Sequence, residues 1–261
     1  MEINKRLKQE IKYLLSQTPL RDLLEKYRHT ALTGKEIFLV SYQNSGSTWL
    51  RNLIYEALTG KEPWNPESKK EFSFIGKHAK AKPIELNKDE KRKLIKSHSP
   101  YRKEYKGKKV IYIVRDPRDI AVSKYKKKLK EGYRIDSKEK EVERFAKGKI
   151  MSEGKWNKHI RSWIDAKNKG EIQLHIVRYE YLIENTEKEL KKTFDFLNAD
   201  YSEKDVKKAI KDNEIKKMKK FNPHARKGKP GNWKEELTKE QSKKIEKNFE
   251  YTMKELGYLR G

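Results

Sequence analysis

The chain has 261 residues, of which 40% are charged and 34% hydrophobic, with a formal net charge of +26 and no cysteine. This length fits one α/β domain, and the absence of cysteine excludes disulfides, zinc–thiolate sites and a cysteine nucleophile. The N-terminus lacks the apolar core of a signal peptide, and no stretch reaches the roughly 20 apolar residues of a membrane span. We therefore expect a soluble, cytoplasmic protein.

The positive charge is compatible with binding to nucleic acid, to a membrane surface or to an anionic small molecule. Lysines are spread along the whole chain and mixed with glutamates, instead of forming one arm or tail. That distribution favours a solvated lysine-rich surface, as in heat-adapted proteins, over a dedicated nucleic-acid patch. Charge alone assigns no function, and we expect no specific nucleic-acid partner.

The first half of the chain begins with a helical segment, predicted within residues 1–35 from its amphipathic leucine pattern. The apolar run Glu36–Tyr42 is typical of a buried strand, and the helix predicted after it ends at Gly60. Residues 61–90 are polar, contain three prolines and show no sustained periodicity, so we interpret them as an excursion over the surface. A second strand is predicted within Lys93–Pro100.

The second half of the chain alternates strands and helices. Val110–Val114 is a buried strand, and Asp116 can cap the helix that follows it. The remaining predicted elements are a long helix at about Lys140–Lys169, a strand at Ile172–Glu180, helices at Thr186–Leu197 and Ser202–Lys211, and a helix at about Thr238–Leu256. This alternation predicts an α/β fold, with one central, mainly parallel sheet flanked by helices in a single domain spanning residues 1–261.

Three polar loops follow predicted strands: SYQNSGSTW, KSHSP and VRDPRD. Ligands of parallel sheets bind beyond the carboxyl ends of the strands, so we expect these loops to meet. In the first loop, Ser45, Gly46, Ser47 and Thr48 open a helix, whose free N–H groups and dipole attract an anion. The loop lacks the G-x-x-x-x-G-K-[S/T] pattern of nucleotide triphosphate sites. On this stretch alone, a hydroxyl-capped helix without a ligand is an equal alternative.

Five segments resemble, in the same order, motifs of the cytosolic-type sulfotransferases, which transfer a sulfuryl group from 3′-phosphoadenosine 5′-phosphosulfate (PAPS). YQNSGSTWL is similar to the family's Y-P-K-S-G-T-T-W-L loop, and KSHSP is similar to its K-T-H-x-P segment. IVRDPRDIAVSKY resembles the family's 3′-phosphate-binding strand and helix. VRYEYLIEN resembles its Y-E-D-hydrophobic segment, and RKGKPGNWKEELT resembles its R-K-G-x-x-G-D-W-K signature. The resemblance implies a P-loop-like sulfotransferase fold, PAPS as sulfuryl donor, adenosine 3′,5′-bisphosphate (PAP) as product, and no metal.

The resemblance also implies a role for each matching residue. The donor-binding residues would be Ser45, Gly46, Ser47 and Thr48 on the phosphosulfate, Trp49 against the adenine, Arg115 and Ser123 on the 3′-phosphate, Tyr179 on the nucleotide, and Arg226, Lys227 and Gly228 in a covering loop at 224–238. His98 would be the catalytic base, and Lys96 would lie near the transferred group. The acceptor would be a small molecule carrying a hydroxyl or an amine.

Elementary chemistry supports these roles but leaves alternatives. A guanidinium directly after a strand suits a phosphate, yet Arg115 can equally pair with Asp116 or Asp119 in a structural turn. Trp49, just inside a helix, is also typical of core packing. His98 follows a strand beside the phosphate loops, and its ordinary pKa near neutrality suits a base with little tuning.

Asn44 is the main departure from the family pattern, because it replaces the loop lysine that neutralises the leaving group. Losing one charged contact costs on the order of 3 kcal/mol, or about a hundredfold in rate. Lys96 is our first candidate for compensation, and Arg51 is less suited because it lies further into the helix. The alternative is a pseudoenzyme that binds PAPS or PAP without transferring the sulfuryl group.

Assembly and acceptor are less constrained by the sequence. The stretch KEELTKEQSK departs from the family's dimer motif, so we expect a monomer or a dimer that uses another surface. The excursion at 61–90 contributes aromatic and apolar side chains, and two tyrosines follow later in the chain. They form either an acceptor pocket or packing beneath a loop. These residues are Trp64, Phe72, Phe74, Ile75, Tyr101 and Tyr133. Two further classes, a P-loop kinase and a basic nucleic-acid-binding protein, fit the five segments less well.

Overall fold

The computed structural model describes Thr18, Ser68 and residues 32–65, 73–74, 82–133, 135–149, 154–214 and 229–260. The predicted N-terminal helical segment lies almost entirely outside these residues. Parts of the excursion at 61–90 and of the loop at 224–238 also lie outside them.

The centre of the fold is a sheet of β1 (Glu36–Ser41), β2 (Ser73–Phe74), β3 (Ile84–Asn87), β4 (Glu90–Ser97), β5 (Lys109–Val114) and β6 (Gln173–Arg178). The strand order is β2-β4-β1-β5-β6, and every neighbouring pair along this path is parallel. β3 pairs with the first part of β4 in an antiparallel hairpin. β1 therefore lies in the middle of the sheet, and all six of its residues are buried.

The helices are α1 (Ser47–Thr59), α2 (Pro117–Lys130), α3 (Lys138–Ala146), α4 (Trp156–Asn168), α5 (Tyr179–Glu184), α6 (Thr186–Leu197), α7 (Glu203–Asp212), α8 (Trp233–Glu236) and α9 (Lys239–Glu255). They cover both faces of the sheet. Phe38 of β1 belongs to a core with residues of α2, α3, α4 and α9, whereas its neighbour Leu39 belongs to a core with residues of α1, α6 and α7. Side chains alternate between the faces of a strand, so one buried strand supplies both cores. The predicted α/β fold is confirmed.

Two sequence predictions about the elements are wrong. The long helix expected from Lys140 to Lys169 is interrupted: α3 ends at Ala146, and α4 starts at Trp156. Gly148 lies between them with a φ of 73°, where a Cβ atom would come within 2.5 Å of the Lys155 side chain. The irregular excursion predicted at 61–90 contains the short strand β2 and the strand β3. None of the helices in the described ranges is long and apolar enough to cross a membrane.

Candidate phosphate-binding and transfer site

The candidate site lies where the chain changes direction across the sheet. From β1 the chain passes to β2, β3 and β4 on one side, and it then crosses to β5 on the other side. Ser97 at the end of β4 pairs with Val40, and Ile113 near the end of β5 pairs with Ser41. The three loops predicted to meet therefore leave one edge of the sheet, at the switch point where α/β proteins bind ligands.

The loop after β1 leads into α1 with unpaired donors. Gly46 is the residue before the helix, with a φ of 93°, and no side chain among the described residues caps the helix start. The alternative of a hydroxyl-capped helix is therefore wrong. Ser45 Oγ and Asn44 Nδ2 are buried and have no hydrogen-bond partner among the described residues. The first turn of α1 contains no acidic residue, so these donors and the positive end of the helix suit an anion.

Gly46 also allows the loop to approach Tyr179, the first residue of α5. A Cβ atom on Gly46 would lie 2.5 Å from the Tyr179 ring, closer than side chains approach. Trp49 meets the same ring edge-on, with 6.3 Å between the ring centroids. The loop after β1 and the start of α5 thus form one surface, as expected if Trp49 and Tyr179 bind the same ligand.

Trp49 is held from outside the loop. Its indole N–H donates to the backbone carbonyl of Asn213 at 3.0 Å. The Asn213 amide donates in turn to the buried carboxylate of Glu56 at 2.7 Å. Trp49 itself is only partly buried, so its ring faces are not wholly covered by the core. No sequence signal pointed to Glu56 or Asn213, because their contact joins residues 157 positions apart.

Arg115 lies directly after β5 and is 6% exposed. Its Nη1 donates to the carbonyl of Asn44 at 3.2 Å, and its guanidinium stacks 4.6 Å above the Tyr179 ring. Nη2 lies 3.9 Å from the Asp119 carboxylate. Nε is buried without a hydrogen-bond partner in the described part of the chain. The predicted pairing with Asp119 is therefore present, but it is long and leaves part of the guanidinium directed at the loop.

Asp119 also fixes the later part of the predicted covering loop at 224–238. Its carboxylate accepts hydrogen bonds from the backbone N–H groups of Gly231 and Trp233, each at 2.9 Å. Sequence reasoning treated Asp119 only as a rival partner for Arg115 and missed this second role. Ser123 lies further along α2 and is partly exposed. Arg226, Lys227 and Gly228 lie outside the described residues.

Lys96, on β4, directs its ammonium at the loop, with Nζ 3.3 Å from Thr48 Oγ1. Burial, together with the positive charges of Arg51 and Lys127, lowers the pKa of Lys96 to about 7. Burial also lowers the pKa of Arg51 to about 10. These cations raise one another's energy in the protein alone, so a bound polyanion would stabilise them.

His98 lies directly after β4. Its Nδ1 is 2.8 Å from the Ser41 carbonyl oxygen and 3.2 Å from the Ser41 hydroxyl. Burial and the neighbouring Lys96 ammonium lower the pKa of His98 to about 3. The expectation of an untuned histidine is therefore wrong: the ring is held neutral by desolvation and positive charge. His175, expected to be structural, is partly buried in β6 near Thr193.

The predicted acceptor pocket is described only in part. Tyr101 packs edge-on against Trp163 with 5.6 Å between the ring centroids, and its backbone N–H donates to Ser162 Oγ. Trp64 and Tyr133 are partly buried, and the side chains of Phe72, Phe74 and Ile75 lie outside the described residues. Within the described ranges, no cluster of three or more His, Asp or Glu side chains is arranged for a metal ion.

The sheet order defines a P-loop-like α/β protein, and this edge of the sheet carries the buried cations Lys96 and Arg115 beside the polar loop after β1. Comparison with known proteins specifies the class. A family model, "Sulfotransferase domain", matches residues 34–257, so the chain belongs to the sulfotransferase family.

Similar proteins agree with this membership. Amine sulfotransferase of Oryctolagus cuniculus is 24% identical over 265 residues, covering 89% of this chain and 85% of that protein. Sulfotransferase 1E1 of Bos taurus is 28% identical, covering 84% and 83%. A crystal structure of mouse sulfotransferase SULT7A1 complexed with PAP superposes with a TM-score of 0.67 at 25% identity, covering 89% of each chain.

Proposed function

We propose that this protein transfers the sulfuryl group of PAPS to a hydroxyl or amine of a small-molecule acceptor, with His98 as general base. The observation that carries this proposal is the contact between His98 Nδ1 and the Ser41 carbonyl, 2.8 Å apart. A carbonyl only accepts hydrogen bonds, so Nδ1 carries the ring hydrogen and Nε2 carries the lone pair. The neutral ring is therefore in the tautomer that a base requires.

The donor-binding assignment is supported by the chemistry of the loop. PAPS is a polyanion, and the donors at the start of α1 are a glycine backbone, the hydroxyls of Ser45, Ser47 and Thr48, and the amide of Asn44. Arg115, stacked on Tyr179, offers a fork of N–H groups for the 3′-phosphate. We assign the 5′-phosphosulfate to the loop, the 3′-phosphate to Arg115 and Ser123, and the adenine to the side chains of Trp49 and Tyr179.

The reaction is an in-line displacement at sulfur. The acceptor oxygen or nitrogen forms a bond to sulfur, and the bond from sulfur to the phosphate oxygen breaks with its electron pair leaving on PAP. The acceptor proton passes to Nε2 of His98. Lys96 stabilises charge that develops on the transferred group and the leaving oxygen. Its ammonium takes the place of the family's loop lysine, whose position Asn44 occupies in this chain.

A measurement of turnover tests the proposal. Radiolabelled PAPS and a panel of phenols, alcohols and amines should give labelled product with the wild-type chain, because relatives named for amine and hydroxysteroid acceptors leave both chemistries open. Binding of PAP without any labelled product would overturn it. Preference for random duplex DNA over PAP, with the steeper salt dependence, would instead support a nucleic-acid-binding protein.

The second candidate function is that of a PAPS- or PAP-binding pseudoenzyme, favoured by the amide of Asn44 at the position of the family's lysine. The two functions differ in the response to Asn44→Lys. An inactive wild-type chain that binds PAP and gains turnover from this substitution would establish the pseudoenzyme.

A further inference from the structure

Behind His98 lies a buried pair of polar side chains that the proposed reaction does not use. His159 of α4 is 1% exposed and Tyr112 of β5 is 0% exposed. His159 Nε2 lies 2.9 Å from the backbone carbonyl oxygen of His98, and His159 Nδ1 lies 2.8 Å from the phenol oxygen of Tyr112. Both ring nitrogens of His159 are therefore engaged.

The partners determine where the hydrogens lie. The His98 carbonyl can only accept, so His159 Nε2 carries the ring hydrogen and donates it. In the neutral ring, Nδ1 is then an acceptor, and the Tyr112 hydroxyl donates to it. The backbone N–H of Tyr42 donates to the phenol oxygen of Tyr112. One directional chain of hydrogen bonds thus runs from Tyr42 through Tyr112 and His159 to the backbone of His98.

This chain joins the two segments that orient the catalytic ring. Tyr42 directly follows Ser41, whose carbonyl accepts from His98 Nδ1. The Tyr42 ring also packs edge-on against His159 at 5.6 Å, and its hydroxyl donates to Gly154 at 2.6 Å. The pair therefore holds the backbone on both sides of the Ser41–His98 hydrogen bond.

We propose that His159 and Tyr112 are positioning residues, which set the tautomer and direction of the His98 ring by fixing its backbone against the loop after β1. This inference rests on the proposed role of His98 as general base. A hydrophobic pair of equal size would fill the same space but leave the His98 carbonyl and the Tyr42 N–H unpaired. Displacements of about 1 Å near reacting atoms cost on the order of a hundredfold in rate.

The test compares His159→Gln, His159→Leu and Tyr112→Phe, with His175→Gln as the matched control. Glutamine keeps an N–H donor for the His98 carbonyl, whereas leucine keeps only bulk. His175 lies on β6 and takes the same substitution away from His98. For each variant we would measure kcat and KM with PAPS and an acceptor, the Kd of PAP, the melting temperature, and the His98 tautomer by nitrogen–proton NMR correlations.

We expect His159→Leu to lower kcat about 10- to 100-fold while the Kd of PAP changes less than about threefold. His159→Gln should retain most of the wild-type kcat, and the kcat of Tyr112→Phe should lie between those of His159→Leu and His159→Gln. In the NMR spectra, the wild type should show His98 protonated at Nδ1, and His159→Leu should show a mixture of tautomers. His175→Gln should change neither measurement.

Two results would overturn the proposal. One is an unchanged His98 tautomer and unchanged kcat in His159→Leu. The other is a parallel loss of kcat, PAP affinity and stability that glutamine does not relieve, which would indicate a purely structural pair. A wild-type chain without turnover would count against the proposed function, and the tautomer spectra would still decide the positioning claim.

Discussion

The ammonium of Lys96 lies 3.3 Å from the hydroxyl oxygen of Thr48. This contact joins the end of β4 to the first turn of α1, so the cation faces the loop from which the family's lysine is missing. Asn44 occupies that position with a φ of 65°, in the left-handed region that asparagine tolerates better than most residues. Lys96 is therefore placed to supply the charge that Asn44 lacks.

Replacement of Lys96 by methionine should separate stability from activity. The substitution removes a desolvated cation, so the ligand-free protein should gain about 1–4 kcal/mol in its free energy of unfolding. Turnover with PAPS should fall about a hundredfold or more, because a charge at the developing oxyanion is lost. Chemical denaturation and steady-state kinetics measure the two effects, with Lys109→Met at the start of β5 as control. Lower stability together with unchanged turnover would contradict this role.

The stability gain of Lys96→Met should depend on pH in a defined direction. The pKa of Lys96 is about 7 in the folded protein, against an ordinary lysine pKa of 10.5 in the unfolded chain. Between these values the unfolded chain binds more protons, so wild-type stability rises with pH across this window. The advantage of the variant should be full below pH 7 and disappear near pH 10.5. A gain that is independent of pH would indicate packing as its cause.

Restoring the family lysine with Asn44→Lys should have a small effect if Lys96 already compensates. We expect kcat to change less than about tenfold, well short of the hundredfold attributed to one missing charge. The double variant Asn44→Lys/Lys96→Met should recover part of the activity lost in Lys96→Met. No recovery in the double variant would show that the two positions do not perform the same task.

The pKa of His98 should depend on the bound nucleotide. In the ligand-free protein, burial and the Lys96 ammonium hold it near 3. A polyanion bound at the loop after β1 favours the imidazolium, so the pKa of His98 should rise toward the ordinary value when PAP binds. NMR titration of the His98 ring with and without PAP measures this change. A free-protein pKa near 6.5, unchanged by PAP, would refute the electrostatic account.

Arg115→Gln should weaken binding selectively for ligands that carry a 3′-phosphate. We expect the Kd of PAP to rise about 10- to 100-fold, because the variant loses one charged hydrogen bond to the 3′-phosphate. The Kd of adenosine 5′-monophosphate, which lacks this phosphate, should change little. Arg161→Gln, on the surface of α4 beside Glu255, is the control. Calorimetry with both ligands measures the difference. Equal losses for the two nucleotides would assign Arg115 to the structure of the loop.

The sequence predicted those parts of the site that depend on short segments. Apolar runs located β1, β4 and β5, and the polar residues directly after them located Ser45, His98 and Arg115, because parallel strands deliver their following loops to one edge. Family resemblance added the roles of these residues. Their meeting at the switch point is what the strand order confirms.

Contacts between distant segments could not be predicted in the same way. The Trp49–Asn213 bond and the Asp119 bonds to Gly231 and Trp233 join positions more than 100 residues apart. The lowered pKa of His98 also depends on burial and on the direction of the Lys96 side chain, neither of which residue type specifies. The hairpin of β3 and β4 was missed because β3 has only four residues, too few to establish an alternating pattern within a polar segment.

The most direct test of the account is sulfuryl transfer from radiolabelled PAPS by the wild type and by His98→Ala, with PAP affinity measured in parallel. We predict labelled acceptor with the wild type, and a kcat about 10²- to 10⁴-fold lower in His98→Ala, as for loss of a general base. The Kd of PAP should be similar for both proteins. Equal transfer by both proteins, or PAP binding by a wild type that labels no acceptor, would contradict the account.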